Sequence, residues 1–133
     1  MKRKRLVIGT YDFELFEQLR NQLAGPGLEI LFVQRGVKIL IEILDHDVDL
    51  LILDLDLTGI LGIEILPVIR RLRPRLPIIL ITEDVNTRIR KIAAELGVHY
   101  QAYKPISGIE TDAITHAATH LLQRNSQEKA VFA

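Results

Sequence analysis

A chain of 133 residues fits a single domain with one core and buries enough surface to need no staple. Its 48% hydrophobic content against only 5% aromatic describes an aliphatic interior of Leu, Ile and Val, and the lack of Cys excludes disulfides, thiolate metal sites and a Cys nucleophile. Lys plus Arg equals Asp plus Glu at 17 each, which removes the electrostatic case for general nucleic-acid binding.

The chain opens on Lys2-Arg3-Lys4-Arg5, and a second basic run, Arg70-Arg71-Leu72-Arg73-Pro74-Arg75, lies past the middle. They read as a solvated start and a solvated helix end. Leu6-Val7-Ile8-Gly9 is a first strand, and as the only segment between the basic start and Thr10 it is too short for a signal-peptide core. No apolar run approaches a membrane span, so a cytoplasmic protein that engages no membrane is expected.

Asp12 supplies an N-cap for a helix carrying Phe16, Leu19 and Leu23 on one stripe, stopped by Gly25-Pro26-Gly27. Leu28 to Val33 is a second strand. Gly36 introduces a helix over about Val37 to Leu44, with Val37, Leu40, Ile41 and Leu44 as its inward stripe and Ile39 and Ile43 outward. Leu50-Leu51-Ile52-Leu53-Asp54 has no amphipathic period and is short, which marks a central parallel strand buried on both faces. Gly59 and Gly62 turn the chain into a third helix from about Gly62 to Arg73, with Pro67 near its first turns.

Pro77 to Thr82 is a fourth strand ending in a hydroxyl, and Asn86 to Leu96 a helix with Ile89, Ile92, Ala93 and Leu96 inward, closed by Gly97. A fifth strand, about Val98 to Ala102, leads to Lys104-Pro105. The last helix runs from about Ile109 to Gln123, and Asn125 to Ala133 reads as a frayed tail. The division is therefore a domain over 1–124 and a flexible C-terminal tail over 125–133. Five strand-then-helix units predict a five-stranded parallel sheet with right-handed crossovers. Such a sheet brings the strand ends carrying Thr10, Asp54, Thr82 and Lys104 to one edge, where open α/β sheets bind their ligands. Taken alone, Asp54 has a second, less favoured reading as a carboxylate that caps the following turn.

In this order and at these spacings, Asp54, Thr82 and Lys104-Pro105 resemble the receiver domain of bacterial two-component response regulators (the CheY-like superfamily), over about residues 5 to 123. The resemblance implies a flavodoxin-like three-layer sandwich with strand order 2-1-3-4-5 and five helices. It implies Asp54 as phosphoryl acceptor from a histidine kinase or phosphotransfer protein, Thr82 as the hydroxyl that moves towards the phosphoryl group, and Lys104 as its cation. Pro105 follows a peptide that is typically cis in that family. Gly59 and Gly62 match the loop after the acceptor, with Thr58 where the family often has Pro.

Mg²⁺ in that family is held by an acidic pair at the end of the first strand, by the acceptor, here Asp54, and by the backbone carbonyl of the residue matching Asp56. The acidic pair falls on Thr10 and Tyr11, so metal binding is expected to be weak or absent. Each lost anion near a surface removes up to a few kcal/mol at an effective dielectric of about 20, enough to lower divalent affinity by orders of magnitude. Asp12, Asp84 and the Asp56 side chain are the nearby acidic substitutes. Without metal, the site is expected to rest as an Asp54 to Lys104 ion pair. The family's aromatic switch position, three residues before the Lys, is Gln101, flanked by Tyr100 and Tyr103.

The reading that follows is a stand-alone receiver-like protein, not an enzyme beyond its own phosphorylation and dephosphorylation. Its output would pass to a downstream protein through the fourth helix, fifth strand and last helix; nucleic acid and membrane are not expected as partners, and self-association is compatible with the sequence. Two versions stay open: a phosphoacceptor at Asp54, and a pseudo-receiver that binds protein without being phosphorylated. A third reading rests on Asp54-Leu55-Asp56-Leu57-Thr58, which resembles the DxDxT signature of haloacid dehalogenase-type phosphatases. Those enzymes need a downstream acidic pair, for which only Glu110 and Asp112 remain. His116 and His120, four apart on the last helix, lack a third metal ligand and read as surface residues.

Overall fold

A computed structural model describes residues 3–56, 62–83 and 87–132 of the chain, with side chains described as far as Arg124. Ten elements alternate strictly: β1 (Lys4–Gly9), α1 (Phe13–Leu23), β2 (Leu28–Val33), α2 (Gly36–Asp45), β3 (Leu50–Asp54), α3 (Gly62–Leu72), β4 (Ile78–Thr82), α4 (Thr87–Glu95), β5 (Tyr100–Tyr103) and α5 (Gly108–Phe132). The strands form one parallel sheet of order β2-β1-β3-β4-β5. The parallel sheet is the one expected from the alternation of elements, and its order is the flavodoxin-like one that the resemblance implies.

Every residue of β3 and β4 is buried, as central strands covered on both faces must be. Alternate residues divide the core into two layers. Leu6, Ile8, Leu50, Ile52, Ile79 and Ile81 face α1 and α5, meeting Leu15, Phe16, Leu19, Ile114 and Ala118. Val7, Leu51, Leu53, Ile78 and Leu80 face α2, α3 and α4, meeting Ile43, Ile65, Ile69 and Ala93. No helix among the described residues is long and apolar enough to cross a membrane.

The outward and inward faces of α2 are the reverse of the expectation. Ile39 and Ile43 are fully buried, whereas Val37, Ile41 and Leu44 are 52%, 43% and 57% exposed. The reason lies in β1: a Cβ at Gly9 would overlap Ile39 Cδ1, so the missing side chain is a notch that accepts Ile39 and fixes the helix's rotation. The last helix also departs from expectation. Its backbone continues to Phe132 instead of ending near Gln123, because no Gly or Pro follows Arg124 and Gln127 to Ala130 are strong helix formers.

The basic run past the middle is not a solvated helix end either. The Arg70 guanidinium donates to the carbonyls of Leu96 at 2.6 Å, Leu76 at 2.8 Å, Pro74 at 3.1 Å, Arg73 at 3.2 Å and Gly97 at 3.2 Å. Arg73 donates to Ile43 O at 2.9 Å. Burial holds the Arg70 pKa below the ordinary arginine value, yet the residue stays a cation because that value is so high. Arg70→Ala is expected to cost about 2 kcal/mol, since it orphans several carbonyls at once. Arg70→Lys should recover little, because one ammonium cannot span the same fork. Urea unfolding of the two variants checks this.

Candidate functional site

Three strand ends bring the site together. β3 ends on Asp54, which pairs in register with Ile81, and the Leu55 N–H then bonds Ile81 O at 2.9 Å. One residue further on β4, Thr82 is buried and accepts the Lys104 N–H on its carbonyl at 2.9 Å. Thr10 follows β1 directly, its N–H bonded to Val33 O at 3.0 Å. Asp54, Thr82 and Lys104, far apart in the chain, thus stand on one edge of the sheet, and the peptide between Lys104 and Pro105 is cis.

Asp54 is completely buried, and both of its oxygens are occupied. Oδ2 accepts from the Thr10 hydroxyl at 2.7 Å and lies 2.8 Å from Lys104 Nζ, while Oδ1 accepts the Asp56 N–H at 3.0 Å. Lys104 Nζ also donates to Asp56 Oδ2 at 3.0 Å. The Thr10 hydroxyl in turn accepts the Asp12 N–H at 3.1 Å, and Asp12 Oδ1 accepts from Leu15 N–H as the α1 cap. Among the described residues no buried side-chain polar atom is without a partner. Burial pushes the Lys104 pKa down, but the hydrogen bonds and charges of Asp54 and Asp56 outweigh it and hold the ammonium above its ordinary value.

Thr10 and Tyr11 separate in space. The Thr10 side chain faces Asp54, whereas Tyr11 is 64% exposed on the rim of the neighbouring cleft, beside Phe13, Lys104 and Ile106. Asp12 is committed to its cap, and Thr58, Gly59 and Asp84 lie outside the described residues. The Asp56 side chain, expected to matter only as a spare acid, is the second partner of Lys104. An Asp-x-Asp step at a strand end was the signal, since extended backbone returns every second side chain to the same side.

A divalent cation does not fit this set. The acceptor's oxygens are filled by a hydroxyl, an ammonium and an N–H, the other near carboxylate is paired with the same ammonium, and no group of three His, Cys, Asp or Glu gathers among the described residues. Glu110 is no substitute: it accepts from the Ser107 N–H and hydroxyl as a capping box for α5, while Asp112, His116 and His120 are exposed along that helix.

Beyond the site, Gln101 Nε2 donates to Arg90 O at 3.3 Å, the Tyr103 hydroxyl to Gln101 Oε1 at 3.4 Å, and the Arg90 guanidinium lies 5.7 Å from the Tyr103 ring centre. Tyr100 and Tyr103 are both half-buried.

Residues 12–118 match the family model described as the response regulator receiver domain. The DNA-binding response regulator MtrA of Mycobacterium tuberculosis (strain ATCC 25618 / H37Rv) is 30% identical over 128 residues, covering 96% of this chain and 54% of MtrA. The chain therefore spans about half the length of the curated relatives it matches. Among solved structures, the receiver domain of a LuxO-type repressor protein from Vibrio parahaemolyticus superimposes with a TM-score of 0.85 at 21% identity, covering 98% of each chain. A CheY-like receiver protein from Methanospirillum hungatei JF-1 does so at 0.82 and 20%, covering 96% of this chain and 99% of that one.

Proposed function

Since the chain belongs to the response regulator receiver domain family, we propose that it serves two-component signalling as a receiver whose Asp54 is held in a metal-free ion pair, with output through contacts made by its own surface. It is a signalling module and not an enzyme. The observation carrying this reading is the occupancy of both Asp54 oxygens, by Thr10 and Lys104 on one and by the Asp56 N–H on the other. A carboxylate so engaged is a poor nucleophile, and one ammonium shared between two carboxylates leaves little positive charge for incoming phosphoryl oxygens. On this reading a histidine kinase or phosphotransfer protein could engage the chain only as a binding partner; it donates a phosphoryl group only on the second reading below. The α4, β5 and α5 face, with Arg90 over Tyr103, meets the downstream protein. Equal acidic and basic counts favour a protein over a nucleic acid as that target.

The second reading, Asp54 as phosphoacceptor, is favoured by the gathering of Asp54, Thr82 and Lys104 on one edge. In it an Asp54 oxygen bonds to phosphorus while the donor's leaving group departs with the electron pair, Lys104 passing from the carboxylates to the phosphoryl oxygens. Incubation with acetyl phosphate or phosphoramidate, with and without Mg²⁺, followed by intact-mass measurement decides between them. No phosphoryl increment is expected under either condition. An increment abolished by Asp54→Ala overturns the first reading in favour of the second. Turnover of a small phosphate ester would overturn both and point to the dehalogenase-type phosphatase.

A further inference from the structure

The outer face of α2 has no partner within the described structure. Val37, Ile41 and Leu44 recur at the i, i+4, i+7 spacing of one helix face and are all exposed, with half-buried Leu40 along one margin. Single exposed aliphatics mean little, but three in register on a ten-residue helix make a seam. Along the other margin stand Lys38 and Asp45, both exposed and without an ion-pair partner among the described residues. By contrast Glu42, on the same helix, is paired with Arg5 at 3.3 Å.

Lys38 and Asp45 are seven residues apart, so they occupy equivalent positions two turns apart on the same flank. In an antiparallel pair related by a two-fold axis, like flank meets like flank. The basic residue of one helix then faces the acidic residue of the other, and the contact occurs twice. The midpoint between Lys38 and Asp45 falls between Ile41 and Glu42, within a residue of the midpoint of the Val37 to Leu44 seam. One axis near Ile41 therefore aligns the charges and the apolar residues together. A parallel pairing about a two-fold would carry the two Lys38–Asp45 flanks to opposite sides of the seam, where neither charge meets its opposite.

We propose that the exposed face of α2 pairs antiparallel with α2 of a second copy of this chain, with Ile41 at the two-fold axis and Lys38 opposite Asp45 of the second copy. A ten-residue helix is only about 15 Å long. The contact is therefore at the small end of specific interfaces and the dimer is weak, with a dissociation constant of roughly micromolar to a few hundred micromolar. The pairing is independent of the chemistry at Asp54.

Sedimentation equilibrium of the full chain over a wide concentration range tests it, with thermal unfolding as a control for folding. A monomer–dimer equilibrium is expected. Ile41→Asp and Lys38→Glu should each weaken it by about tenfold or more. The double swap Lys38→Glu with Asp45→Lys should restore it, which a merely structural effect of either change would not do. A chain that stays monomeric at the highest concentrations overturns the proposal, and so does a dimer indifferent to Ile41→Asp or a charge swap that fails to rescue.

Discussion

Lys104→Met is expected to destabilise the fold by about 3 kcal/mol at neutral pH, the low end of what breaking a buried ion pair costs. Asp54 is fully enclosed and loses its one countercharge among the described residues, whereas Asp56, at 47% side-chain exposure, is compensated by water. Adding Asp54→Asn should return most of the loss, because a neutral amide needs no cation. The pH dependence of the wild type has a definite sign. The Lys104 pKa is raised in the folded state, so its contribution is complete below the unfolded lysine value of about 10.4 and disappears as pH climbs through the higher folded value. Urea unfolding across the alkaline range should show this decline in the wild type and not in Lys104→Met. A variant as stable as the wild type at pH 7 would mean that the ion pair contributes nothing.

Thr10→Asp is expected to raise Mg²⁺ affinity by about 100-fold or more, since one carboxylate close to a cation is worth a few kcal/mol at an effective dielectric of about 20. The new carboxylate would lie against Asp54 Oδ2, which now accepts the Thr10 hydroxyl. Without metal, the variant should be less stable than the wild type, having exchanged a hydrogen bond for like-charge repulsion. With millimolar Mg²⁺, its melting temperature should rise in proportion to the logarithm of the metal concentration. Tyr11→Asp should change neither quantity appreciably, because the side chain at Tyr11 stands on the cleft rim and not over Asp54. Calorimetric titration of both variants provides the comparison. Equal gains from the two would show that the cation approaches from the rim.

The parallel sheet and the meeting of Asp54 with Lys104 were readable in the chain because short apolar strands alternating with helices leave few ways to fold, whereas the strand order came from the resemblance to receiver domains. A strand ending in Asp54 and another leading to Lys104 then have only one shared edge to end on. The face of α2 was not readable, since Val37, Ile39, Leu40, Ile41, Ile43 and Leu44 surround the helix with aliphatics and periodicity selects no side. What chooses is the notch at Gly9, a contact between elements that no local pattern carries. The same holds for Arg70, whose carbonyl partners come from the end of α3, the approach to β4 and the end of α4. Arginine at a helix end looks identical in sequence whether it points to water or to a ring of backbone oxygens. Thr10 was recognised as a missing metal ligand, but its role as a donor to Asp54 depends on the register between β1 and β3.

The grip of Arg70 on Leu96 and Gly97 has a mechanical consequence for the face that carries Arg90 and Tyr103. α4 buries only Ala93 completely, so its body is lightly held, while the chain just beyond its C-terminal end is fastened to α3. A helix anchored at the heel is expected to resist sliding along the sheet. Tilting is the motion expected of it, and its nine residues form a lever about 13 Å long. A small displacement originating at the end of β4 would then produce its greatest travel at the Thr87 end, with the least travel at the fastened end.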